Sequence, residues 1–151
     1  MIRPPISRRR RAASLVEAAF VLPIALLFVF GLVEYGRLIF LIQTSENAAR
    51  EGARYAVART ADGTTLTDVQ NYVNGTMAGR QSELVGYTVD VFNVDPNTGA
   101  TIAGTNWNDA PFGGAILVRV SGTYSPVLPS FLRLPASISI RATSMMSSEA
   151  N

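Results

Sequence analysis

Hydrophobic positions along this chain fall into three regimes. From Leu15 to Val33 they are continuous, interrupted by a single carboxylate, Glu17. From Leu38 onward they recur at threes and fours, through Leu38, Leu41, Ile42, Ser45, Ala48, Ala49, Gly52, Ala53 and Ala56, the spacing of one helix face. Beyond Gly86 three segments alternate apolar and polar residues, the period of strands with one buried side.

The first regime predicts a membrane-spanning helix. Its uncharged part, Ala18–Val33, has 16 residues, about 24 Å of helix against a hydrocarbon core of about 30 Å. Starting at Ala12 lengthens it to 22 residues and about 33 Å, at the cost of bringing Glu17 inside. Eleven of the 16 are Leu, Ile, Phe or Val, worth roughly −3 to −7 kcal/mol on insertion. An acid costs about 3 kcal/mol at the centre of a span and less off centre, so insertion wins. Pro23 should kink the helix by removing one hydrogen bond. A cleaved signal peptide fits less well, because the run is long for such a segment and no small-residue cleavage site follows it closely.

The helical face of the second regime shrinks outward from Leu and Ile to Ala48, Ala49, Gly52, Ala53 and Ala56, a stripe that lets another backbone approach. Two readings stand: packing against the chain's own domain, or against neighbouring subunits. On the other side Glu46 with Arg50 and Glu51 with Arg54 are spaced for weak ion pairs. The helix should stop before Asp62-Gly63.

The remaining residues predict a small domain. Thr67-Asp68 should cap a second helix running to about Gln81, with Val69, Tyr72, Val73 and Met77 as its buried face. Gly86–Val94, Ala115–Tyr124 and Ala136–Met146 read as strands. Between the first two lies the turn Asp95–Gly99 and a long loop around Trp107 and Phe112; between the last two, Ser125–Pro135 holds three prolines and should be an irregular crossover. The expected fold class is α+β: a long N-terminal transmembrane helix continuing into a small domain with a second helix and a three-stranded antiparallel sheet, which only the helices can cover. The expected organisation is a basic leader over 1–12, a long helix over 13–60 with a membrane-spanning first half, and an extracytoplasmic domain over 61–151.

Composition narrows the chemistry. In 151 residues there is no cysteine, histidine or lysine, and all 13 basic residues are arginines. That removes thiolate and imidazole metal sites, histidine general bases and Schiff bases together. Five arginines lie in the first 11 residues, a segment expected to be disordered, and the rest of the chain then carries 8 arginines against 11 acids, a net of −3. The basic character is thus a tail, poor as a nucleic-acid footprint but good as a topology signal: Arg8, Arg9, Arg10 and Arg11 hold the N-terminus in the cytoplasm and send the domain outside. Asp95 and Asn97 have only a loose calcium-loop look, better read as a turn; Asn74-Gly75-Thr76 is an isolated sequon; Asp90 and Asp109 make no recognisable acid/base pair. No cofactor site and no enzyme constellation emerge.

The stretch Arg8–Tyr55 resembles the TadE-like pseudopilins of the tight-adherence (Flp-type) pilus. The resemblance rests on the arginine run, Ala12, Val16-Glu17, Leu22-Pro23, Glu34-Tyr35-Gly36-Arg37 and the segment from Asn47 to Ala56, all in order and at spacing. More loosely, a strand ending in Tyr124, a proline-rich crossover and a last strand closing on Glu149 are similar too. The resemblance implies a pilin-like, non-enzymatic minor subunit in the bacterial inner membrane. It implies partners: a prepilin peptidase, other pilins or pseudopilins, the inner-membrane assembly platform and the lipid bilayer, with no nucleic acid. It also implies cleavage between Ala12 and Ala13, which puts Glu17 at the fifth mature position; alanine stands where the family usually has glycine. Cleavage would remove the arginine tail and free an α-amine at Ala13, about one turn from Glu17, for pairing within a chain or between neighbours. The alternative is an unprocessed single-pass anchor carrying a binding domain.

Overall fold

The computed structural model describes residues 6–127 and 135–148. Helix α1 runs over Ile6–Val57, helix α2 over Leu66–Thr76, and three strands follow, β1 (Leu84–Val94), β2 (Ala115–Tyr124) and β3 (Ile138–Ser147). The sheet order is β1-β2-β3, all antiparallel. The α+β class read from the pattern is the class found.

Helix α1 holds 52 residues and continues through Pro23 as a single helix. It starts earlier than expected. Residues 6–11, read as disordered from their charge, are helical, because arginine is a good helix former and extending a nucleated helix backward costs little. At its far end α1 stops at Val57, ahead of Asp62-Gly63, and Gly63 takes a left-handed φ of 80°.

Helix α2 is shorter and begins differently from the expectation. Its N-cap is Thr65, not Thr67. The Thr65 Oγ1 accepts from the Asp68 backbone N–H at 3.3 Å, and Asp68 accepts from the Thr65 N–H at 2.9 Å, a closed capping box. It ends at Thr76 rather than near Gln81, because Ala78 and Gly79 turn left-handed with φ of 50° and 84°. Val69, Val73 and Met77 are buried as expected. Tyr72 is not: it stacks on Tyr55 of α1, ring centroids 4.2 Å apart, and stays half exposed.

The strands lie within two residues of their expected ends. β1 starts at Leu84 instead of Gly86, with a register shift between Val85 and Thr88 where Gly86 has a φ of 66°. β2 has the expected bounds, and β3 runs from Ile138 to Ser147. In the loop between β1 and β2, Trp107 is buried and Phe112 exposed. The crossover expected over Ser125–Pro135 lies mostly outside the described residues, as does Glu149.

One face of the sheet packs on the outer half of α1. Leu41, Ala48, Ala49 and Ala53 meet Val118, Val120, Tyr124, Ile140 and Ala142, with Val73 of α2 and Met77 just past its end closing the side. A second cluster gathers Ala56, Val69, Trp107, Ala110 and Ile116. The first half of α1 takes no part in either.

Candidate functional site

Helix α1 carries three successive surfaces, each set by its side chains. Over residues 12–33 every side chain is exposed apart from the half-buried Gly31 position; Phe20 and Phe28 are 72% and 75% exposed. A patch of this extent is far beyond the few hundred Å² that a soluble surface tolerates. α1 is the one helix among the described residues long and apolar enough to cross a membrane. Ala12, Ala13 and Glu17 are exposed within this segment. The four-position step from Ala13 to Glu17 places them about 6 Å apart along the axis.

The second surface is a polar junction immediately past the last apolar residue. Glu34 is buried, and one of its carboxylate oxygens accepts from the Tyr124 hydroxyl, in a short hydrogen bond, and from the Val127 backbone N–H at 3.2 Å. One turn on, the Arg37 Nε donates to Glu83 at 2.7 Å, while the guanidinium lies 5.5 Å from the centre of the Tyr124 ring. Arg80 grips the other Glu83 oxygen at 2.8 Å and sits over the Phe40 ring at 5.3 Å. Glu34 and Arg37, spaced for a mutual pair on an isolated helix, thus reach separate partners in the domain. The hydrogen bond to Glu83 holds the Arg37 guanidinium above its usual pKa, and the two arginines hold the Glu83 carboxyl below its own.

The third surface is the small-residue stripe. Ala48, Ala49, Ala53 and Ala56 have no exposed surface and Gly52 is buried. A Cβ at Gly52 would lie 2.4 Å from the Val73 Cγ2 and 3.3 Å from the Val118 Cγ1, so only hydrogen there lets α1 approach both α2 and the sheet. Of the two readings of the stripe, packing against the chain's own domain is the one realised, and it leaves no stripe surface for a neighbour. Gly36 is the opposite case: among the described residues a Cβ there would meet nothing within 4 Å, so their packing does not require glycine in the Glu34–Arg37 motif.

Burial and the bond to Glu34 push the Tyr124 hydroxyl up to about 12, and burial raises Tyr87 to about 12 as well. Tyr87 donates to the Asn74 Oδ1 at 2.9 Å, which engages the sequon asparagine in the fold. A raised tyrosine pKa favours the folded state at any pH below the unfolded value of about 10, and that contribution is lost as pH climbs from about 10 to about 12. The detergent-solubilised chain should therefore lose melting temperature across that window. Tyr124→Phe, already lacking the ionisable hydroxyl, should show a shallower loss; equal slopes in the two proteins would refute the assignment.

The other candidates resolve locally. Asp95 accepts from the backbone N–H of Asn97 at 2.7 Å and of Thr98 at 3.4 Å, the geometry of a plain turn. Asp109 caps the turn at Asn106 and lies on a different element from Asp90 in β1. Of the expected ion pairs on α1, Glu46–Arg50 closes at 3.4 Å, while Glu51 and Arg54 flank an open groove with Tyr55, Arg59 and Tyr72. Sequence reasoning quoted Glu34 and Arg37 only as parts of a motif and missed Tyr124, Glu83 and Arg80 as their partners. The usable signal was an acid and an arginine one turn apart at the exit of an apolar run.

No curated protein and no solved structure matches the chain. A family comparison does: residues 12–54 match the TadE-like protein family, over the exposed apolar run, the Glu34–Arg37 junction and most of the buried stripe. The similarity thus lies within helix α1, and it is consistent with a TadE-like protein of the tight-adherence pilus system.

Proposed function

We propose that this chain is a minor, non-enzymatic pseudopilin-like subunit that serves assembly of a tight-adherence pilus. The observation that carries the reading is the division of α1. Its outer half is consumed by the chain's own core, while residues 12–33 stay uncovered and carry an exposed carboxylate at Glu17. An apolar helix half left bare by its own domain needs lipid first and other helices afterwards. A bare acid on it supplies a specific contact that lipid cannot satisfy. The leader over 1–12 is then removed by a prepilin peptidase on the cytoplasmic face, and the domain over 61–151 lies outside the inner membrane. The new amine at Ala13 pairs with Glu17 in its own chain or in an adjacent pilin or pseudopilin. Open space at Gly36 among the described residues agrees with close approach by such a neighbour.

N-terminal sequencing of the protein extracted from membranes tests the reading. A start at Ala13 is the expected result. A start at Met1 would favour the second reading, an unprocessed anchor with an outer binding domain, and a start beyond Val33 would sink both. Glu17→Gln should insert normally and lower surface pili at least tenfold, counted on sheared filaments; unchanged piliation would dispose of the pairing role.

A further inference from the structure

The outer domain begins where the apolar run ends, and the residues at that corner form a surface distinct from the helix itself. Glu34, directly after Val33, binds the end of β2 and the Val127 N–H, and Arg37 binds Glu83, next to the first residue of β1. The corner is therefore held at the level of the membrane exit. Its outward side chains are aromatic, cationic and apolar: Tyr35, Arg37, Phe40 and Arg80 around the helix, with Val85 and Val127 protruding from the domain. The two valines are 67% and 66% exposed, high for β-branched residues beside a packed core.

We infer that this corner is a seat for the lipid headgroup layer, so that the domain rests on the membrane rather than standing clear of it. The inference rests on the membrane-spanning part of the proposed function. Its occupant follows from lengths. Residues 12–33 make about 33 Å of helix and fill a hydrocarbon core of about 30 Å, so the boundary falls near Glu34. The headgroup region adds about 5–7 Å on each side, which takes in Tyr35 and Arg37, while Phe40, about 10 Å beyond Val33, stands just outside it. Aromatic rings prefer this layer, and guanidinium groups donate to lipid phosphates. Glu83 takes one donor from each of Arg37 and Arg80, and a guanidinium has five. Val127, tied through its N–H to Glu34, then sits at the boundary between headgroup and acyl chain, and Val85, two residues from the Glu83 that binds Arg37, in the headgroup layer; α1 itself carries the membrane contact directly into the corner.

The test uses the full chain in vesicles of phosphatidylethanolamine and phosphatidylglycerol. The absence of native cysteine allows a single polarity-sensitive fluorophore to be placed at Val85→Cys or Val127→Cys. Phe28→Cys reports the span. Phe112→Cys reports the opposite end of the sheet, because β2 leads from Ala115, close to Phe112, to Tyr124 over about 30 Å. The expected result is blue-shifted emission at Val85 and Val127, quenched by headgroup-level spin-labelled lipid and shielded from iodide, with Phe112 reporting water. Iodide quenching at Val85 and Val127 equal to that at Phe112 overturns the seat while a lipid signal at Phe28 keeps the span. Shielding from both quenchers means protein covers the corner, and also overturns it. A watery Phe28 overturns the span and the seat with it.

Discussion

Gly52→Leu should unfold the outer domain from α1, with a loss of about 3 kcal/mol or more in denaturant unfolding of the detergent-solubilised chain. The position stands at the crossing of three elements. Its Cα side faces Val73 of α2 at 2.4 Å from a virtual Cβ and Val118 of β2 at 3.3 Å, and both valines have no exposed surface. Neither can turn away, so a side chain there must push α1 off the sheet. Glycine inside a helix costs about 1 kcal/mol relative to alanine, which Gly52→Ala would recover if space allowed. The clash reverses that sign, and Gly52→Ala should destabilise. The contact is specific enough to test: Val73→Ala removes the Cγ2 that the new Cβ would strike. The double variant should then be more stable than the sum of its singles by about 1 kcal/mol or more. Strict additivity would mean that Gly52 is present for a reason other than this approach.

The second large effect is expected at the membrane-side corner. Glu34→Ala leaves the buried Tyr124 hydroxyl and the Val127 N–H without their acceptor, a cost of about 2–4 kcal/mol for two donors left unsatisfied. Tyr124→Phe removes the hydroxyl alone and should cost less, about 1–2 kcal/mol, because the ring keeps its packing beside Arg37. In a double-mutant cycle the two changes should couple strongly, since each destroys the same bond. Arg50→Gln serves as the comparison: its pair with Glu46 is exposed on both sides and should change stability by less than about 0.5 kcal/mol. A Glu34→Ala effect as small as that of Arg50→Gln would show that the corner is held by apolar packing alone. If the corner does hold the domain at a fixed height and direction relative to the span, Glu34→Ala should also loosen the fluorophore signals at Val85 and Val127 without altering that at Phe28.

These two positions show why different parts of the molecule were legible to different degrees. The division of α1 into a bare apolar half and a periodic half is written in the chain, because a membrane helix and a half-buried helix differ in composition and period alone. The strands were equally plain, since a period of two and β-branched residues act locally. The ends of α2 were misplaced because two threonines compete for the cap, and only Thr65 has an acid three residues on that also folds back to its N–H. Its early stop came from Ala78, a residue with no left-handed preference of its own. The arginine run carries charge that argues for disorder, yet it continues a helix nucleated by its neighbours.

The sequence by itself determined the fold class, the apolar span with its lone Glu17, the arginine tail and the motifs that the TadE-like match covers. All of these are properties of adjacent residues or of a fixed spacing. Tertiary structure alone decided which partner the small-residue stripe meets, because alanine and glycine admit any backbone and cannot specify whose. It also decided that Glu34 and Arg37, which could have paired with each other, instead bind Tyr124 and Glu83. Those partners lie 90 and 46 residues away, a separation that no local spacing encodes and only the docking of the sheet onto the helix brings together.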